Sequence, residues 1–135
     1  MATEKLDRAG RSPLHYAAAD GNVREIARLV RSGADPNLRD KGGYTPLHFA
    51  AQDQQAAAAN LLLELGARLE ERDEHGNTPL SSAVFYYRGD GETIRLLRKH
   101  GADPFAKNNH GISPIQIARE DDNPERAKFF DDLPK

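Results

Sequence analysis

The 135-residue chain contains no cysteine. That excludes disulfides, thiolate nucleophiles and Cys-ligated zinc or iron–sulfur centres, and it fits a reducing compartment. Net charge is scarce as well. Nineteen basic residues face twenty-one acidic ones, a formal −2, so no whole-chain field draws the molecule to nucleic acid or to an anionic membrane. No apolar run could span a bilayer, and the opening residues MATEKLDRAG hold no apolar stretch of the kind a signal peptide needs. A soluble, cytoplasmic protein of one domain is the expectation.

Motifs of chemistry are missing too. There is no phosphate-cradling G-x-G-x-x-G or G-x-x-x-x-G-K-[ST], and no G-x-S-x-G turn surrounds Ser81 or Ser82. RGDGE at 88–92 has too few glycines and no following lysine, and its Arg88-Gly89-Asp90 tripeptide is by itself weak evidence of adhesion. None of the five histidines forms a close-spaced ligand pair. His15 and His48 hold equivalent places, but the next two such places are Ser81 and Gln116, which are poor metal ligands. The sequence therefore names no catalytic residue, no cofactor and no metal ligand, and an enzyme or metal protein is the disfavoured reading.

What the chain does contain is itself, four times over. DRAGRSPLHYAA from Asp7, DKGGYTPLHFAA from Asp40, DEHGNTPLSSAV from Asp73 and NNHGISPIQIAR from Asn108 align in phase. GADPN from Gly33, GARLE from Gly66 and GADPF from Gly101 form a second set. The units occupy about residues 7–39, 40–72, 73–107 and 108–135, with residues 1–6 expected to fray. The third unit carries two extra residues between Pro79 and Gly101, within VFYYRGDGE at 84–92.

Each unit reads as two helices and a turn. Ser12, Thr45, Thr78 and Ser113 each precede a proline, and a hydroxyl N-cap followed by Pro at N1 starts a helix. Alanines such as Ala17, Ala18, Ala50 and Ala51 allow close helix approach. Val23, Ile26, Leu29 and Val30 mark a second helix, and Gly33, Gly66 and Gly101 stand where a left-handed C-cap belongs. No unit can bury its apolar face alone, so the four are expected to stack as an all-α solenoid. Glu25 and Arg28 replace Ala58 and Leu61, and Arg119 replaces Ala18, Ala51 and Val84, which suits exposed ends.

SPLHYAA, TPLHFAA and GADPN resemble the ankyrin repeat, and the resemblance covers about residues 7–132. It implies a helix-turn-helix solenoid with finger turns between repeats, and a motif histidine that braces each turn. Ser81 and Gln116 stand in place of that histidine in the third and fourth units. It further implies a non-catalytic protein-interaction module that binds through its finger tips and the concave face of the first helices. Carried over by position, the contact residues are Arg11, Tyr44, Asn77 and Ile112 on the fingers. On the groove they are Asp20, Asp53, Phe85, Tyr86, Arg88 and Asp121.

The three aspartates recur at one position and predict an acidic stripe, the alternative being that each caps the helix that follows. Phe85 and Tyr86 interrupt that stripe with aromatic surface, the kind that anchors interfaces. Leu80, Ala83, Val84 and Tyr87 follow helical spacing, which turns Tyr87 inward on a lengthened first helix and leaves Phe85 and Arg88 on the face of Ser81. An acidic, aromatic-centred groove predicts a partner protein with a basic surface and no nucleic-acid or membrane partner, for a chain that is monomeric on its own. The alternative is a dedicated inhibitor or immunity protein that occludes a basic toxin or enzyme.

Overall fold

A computed structural model describes residues 5–120 and 124–134. Its helices are α1 (Pro13–Asp20), α2 (Val23–Arg31), α3 (Pro46–Gln52), α4 (Ala56–Glu64), α5 (Pro79–Phe85), α6 (Glu92–Lys99), α7 (Pro114–Glu120) and α8 (Pro124–Ala127). A 3-10 turn, Lys128–Phe130, follows, and no strand occurs among the described residues. The first helices α1, α3, α5 and α7 pack in sequence against one another, and α2, α4 and α6 form the second layer.

The helix starts lie where the Ser/Thr-Pro pairs put them. Ser12, Thr45 and Thr78 hold extended backbone at the N-cap, with proline at the first helical position. There its missing N–H costs nothing, because that donor would have no intrahelical partner. The second helices end in one repeated motif. The N–H of Gly33 donates to the Val30 carbonyl at 3.0 Å, and that of Ala34 to Leu29 at 3.0 Å. Gly66 with Ala67, and Gly101 with Ala102, repeat this pattern. Each is a Schellman cap, which needs a left-handed residue at its first position; Gly101 supplies it with φ +95°.

Stacking buries the repeats' apolar ladder. Leu14, Leu47, Leu80 and Ile115 occupy the same position in successive units and are buried. So are Ala17, Ala50, Ala83 and Ala118 behind them, and Ile26, Ala59 and Ile94 in the second layer. Burying each Leu or Ile side chain contributes about 1.5–3 kcal/mol. Alanine between the ladders sets how near the helices come.

Between units the chain forms a tight finger. In the second finger the Asp40 Oδ1 accepts the N–H groups of Gly42 and Tyr44, each at 2.9 Å. Asp73 does the same for His75 and Asn77, and Asn108 for His110 and Ile112. The fingers are sewn together by Lys41 N–H to Ala9, Glu74 N–H to Gly42 and Asn109 N–H to His75, at 2.8–2.9 Å.

Two expectations need correction. The third unit's extra residues do not lengthen its first helix: α5 has seven residues, as α3 does. They lengthen the turn, which runs from 86 to 91, where the second unit uses 53–55. Tyr87 does lean inward from that turn, against Phe129 with ring centroids 5.4 Å apart. A Cβ on Gly91 would run into the same Phe129 ring. The turn is longer because it seats a residue of the C-terminal segment.

Arg119 is likewise not a bare end residue. Its guanidinium donates to the carbonyls of Phe130, Leu133 and Pro134 at 2.8–3.1 Å. Arg98 of α6 holds the same segment through the Phe129 carbonyl at 2.8 Å and a bidentate pair with Asp132 at 2.6 and 2.9 Å. Phe130 is fully buried beneath them. Residues 124–134 thus close the open end of the stack. At the other end α2 exposes Arg28, as expected of a unit with solvent on one side.

Candidate functional site

His15 and His48 fix the geometry from which the site departs. The Nδ1 of His15 accepts the Ser12 N–H at 3.0 Å, while its Nε2 lies 2.9 Å from the Tyr44 carbonyl in the next finger. A backbone N–H only donates and a carbonyl only accepts, so the ring must be neutral with its proton on Nε2. His48 repeats the arrangement between Thr45 and the Asn77 carbonyl, at 3.2 and 2.9 Å. Both rings are buried, and burial, the largest cause, pushes both pKa values below the ordinary 6.5. They are structural braces between repeats.

Gln116 takes over half of this role. Its Oε1 accepts the Ser113 N–H at 2.9 Å and the Ser113 hydroxyl at 3.0 Å, so the turn-bracing that the sequence put in doubt is present there. At Ser81 it is not replaced. The Ser81 hydroxyl reaches Thr78 Oγ1 at 3.5 Å and stops short of the fourth finger. Where a histidine would reach toward the fourth finger, a cavity of about 420 Å³ opens between α5, α7 and the fingers.

Five of the residues singled out from sequence line this cavity: Tyr44, Asn77, Phe85, Tyr86 and Ile112. Phe85 is 62% exposed and Tyr86 46%, and their rings meet edge to face at 4.9 Å. Tyr44 is half-buried, edge-on to His48 with centroids 5.8 Å apart. Burial first, then the negative charge of Asp73, raises its hydroxyl pKa. Asn77 is engaged with Asn108 Nδ2 at 3.0 Å.

The other residues fall elsewhere. Arg11 is held within the chain: its Nε meets Asp40 Oδ2 at 3.3 Å, and its guanidinium lies over the Phe49 ring, 4.9 Å from the centroid. Asp20 is exposed at the end of α1, and Asp53 is the C-cap of α3. Neither caps the following helix, since Asn22 and Gln55 occupy those N-cap positions. Arg88 lies against Asp53, with Nη2 3.3 Å from its carbonyl and 3.9 Å from Oδ1. The charge pattern at that point is a pair, not a run of carboxylates. Asp121 lies outside the described residues.

Glu120, at the end of α7, and Ser82, weighed only as a nucleophile, also line the cavity, as do Ile117 and Asp73, which were not singled out from sequence. One signal pointed to them, the loss of the motif histidine at position 81. Among the described residues no cluster of three His, Cys, Asp or Glu could hold a metal ion, and no helix is long and apolar enough to cross a membrane.

Comparison with protein families adds to this geometry. A family model described as ankyrin repeats, in three copies, matches residues 14–108. No curated protein matches the chain.

Proposed function

We propose that this chain, which belongs to the ankyrin-repeat family, is a non-catalytic protein-binding module whose contact face is centred on Phe85 and Tyr86. Ankyrin repeats are in general protein–protein interaction modules, and the family is typically non-catalytic. The observation that carries the reading is the exposed aromatic pair in edge-to-face contact beside a cavity, whereas the exposed rings of Tyr16 and Phe105 line no part of it. Aromatic side chains bury large area at small entropic cost, which makes them interface anchors. Asp20, exposed at the end of α1, and Asp73 and Glu120 on the cavity wall favour a partner with a basic surface.

The test is the double substitution Phe85→Ala with Arg88→Ala. Both side chains are exposed, and the Arg88 contacts are long, so thermal unfolding should move by no more than about 0.5 kcal/mol. Affinity capture should retain a partner on the native chain and lose it on the variant. A variant that melts far lower would make these residues structural and remove them from the contact face.

A further inference from the structure

The repeats offer two internal templates for what the cavity lacks. In the second and third fingers, one backbone carbonyl accepts twice. Tyr44 O takes the Asp40 N–H at 2.9 Å and His15 Nε2 at 2.9 Å; Asn77 O takes the Asp73 N–H at 3.0 Å and His48 Nε2 at 2.9 Å. The corresponding carbonyl of the fourth finger, Ile112 O, accepts the Asn108 N–H at 2.8 Å and, among the described residues, no second donor. Ser81 is too short to supply one.

The second template concerns the finger carboxylates. Asp40 uses Oδ1 for its own turn and Oδ2 for the Arg11 guanidinium at 3.3 Å. Asp73 uses Oδ1 for its turn in the same way. In phase with Arg11 stands Tyr44, so the preceding finger offers Asp73 Oδ2 no arginine. Asp73 is only 6% exposed, yet it lines the cavity together with Ile112 and Ser81. Asp73 and Ile112 both line the cavity, and a carboxylate oxygen and a carbonyl each have lone pairs for a further donor.

We infer that the cavity receives one arginine side chain of the partner protein, its guanidinium donating to Asp73 Oδ2 and to the Ile112 carbonyl. The inference rests on the reading of this face as protein-binding. A guanidinium is planar, carries only donors and stacks on aromatic rings. Tyr44, Phe85 and Tyr86 supply such rings on the cavity wall, and Glu120 adds a second carboxylate there. Arg126 also lines the cavity, and its guanidinium donates to the Val84 carbonyl at 3.4 Å, at the end of α5. The chain already shows what it does with a guanidinium in the equivalent place one unit earlier, where Arg11 pairs with Asp40 and covers Phe49.

The repeats also supply the test variants. Asp73→Asn removes the charge but keeps the turn acceptor, as Asn108 does in the fourth finger. Ser81→His, after the pattern of His48, puts a ring into the cavity and its Nε2 proton on the Ile112 carbonyl. The measurement is a titration of isotope-labelled protein with N-acetyl-arginine methylamide, followed through the amide signals of Ser81, Phe85 and Ile112. Saturable shifts confined to this region are expected on the native chain. Affinity should drop roughly tenfold in Asp73→Asn, the scale of one charged contact, and binding should vanish in Ser81→His.

The neutral isostere N-acetyl-citrulline methylamide, and the lysine analogue, should bind several-fold more weakly. No saturable shift on the native chain, undiminished binding in either variant, or equal binding of citrulline or lysine would each overturn the inference. Should Ser81→His misfold, Asp73→Asn alone decides it. Partner capture by the native chain and its loss on the Phe85/Arg88 variant is independent of this titration. An arginine probe that fails while capture succeeds therefore removes the arginine site and leaves the binding face standing.

Discussion

The two bracing histidines make stability depend on pH in a way that can be worked from their partners. Each ring is neutral because Nδ1 faces a backbone N–H and Nε2 faces a carbonyl. Protonation would set an N–H against the Ser12 or Thr45 N–H and break the cap. The folded pKa of both lies below the ordinary 6.5, chiefly through burial. The sign follows from linkage. Below pH 6.5 the unfolded chain binds protons that the folded chain refuses, so stability is intact above that pH and falls as pH drops. At pH 5.5 each histidine removes up to about 1.4 kcal/mol, or about 2.8 kcal/mol for the pair, while the folded pKa stays below the working pH. For a domain of this size that corresponds to a fall in Tm of about 10 °C.

The assay is thermal unfolding from pH 7.5 to 5.5, on the native chain and on a His15→Gln, His48→Gln variant. Gln116 shows that an amide can hold the cap alone, so the variant should fold. It loses both inter-repeat hydrogen bonds, about 1 kcal/mol each, and so starts less stable at pH 7.5. Its melting temperature should then change little with pH, and the two curves should converge near pH 5.5. A native Tm that is flat across this range, or the same slope in the variant, would refute the reasoning.

Gly91→Ala should destabilise by about 2–4 kcal/mol, combining the cost of a non-glycine residue in the left-handed region with a Cβ that displaces the Phe129 ring; chemical denaturation measures it. Phe130→Ala should cost about 3–5 kcal/mol, because the side chain is fully buried against the last repeat. Urea unfolding should show that loss in the midpoint.

The parts of the fold legible in the sequence are those written locally and repeated. A hydroxyl residue before proline starts a helix wherever it stands, and a glycine at the end of a second helix closes it. The ladder of Leu14, Leu47, Leu80 and Ile115 needs only the period to be seen. What escaped were features set by contact between distant residues. Phe129 and Phe130 follow no repeat phase, so nothing near them in sequence announces that they cap the stack. Gln116 could be recognised as a departure from histidine, but its length and amide oxygen had to be placed before its hydrogen bonds to Ser113 could be counted. Gln54 takes the left-handed conformation, φ +57°, that Gly21 takes one unit earlier. Its amide bridges the Ala51 and Ala83 carbonyls at 3.1 and 3.0 Å, a tie no local signal foretold. The crowding of Phe85 and Tyr86 drew attention to the stretch in sequence, and both rings are exposed. The cavity was visible only as a missing histidine, because its walls come from α5, α7 and the fingers of successive units.

VFYYRGDGE joins the C-terminal cap to the exposed aromatic pair. Its inward residues, Tyr87 and Gly91, receive Phe129 and so couple the long turn to the C-terminal cap. Its outward residues, Phe85 and Tyr86, form the exposed pair beside the cavity. Arg126 of the capping segment donates to Val84 at the foot of α5, one residue before Phe85. The cap and the aromatic pair are therefore mechanically joined, and substitutions in them separate by kind. Phe85→Ala removes contact surface from an intact stack. Phe130→Ala loosens the segment that holds the end of α5, so it should weaken binding and stability together. A Phe130→Ala variant that unfolds more easily yet keeps full partner affinity would show that α5 holds the aromatic pair in place without help from the cap.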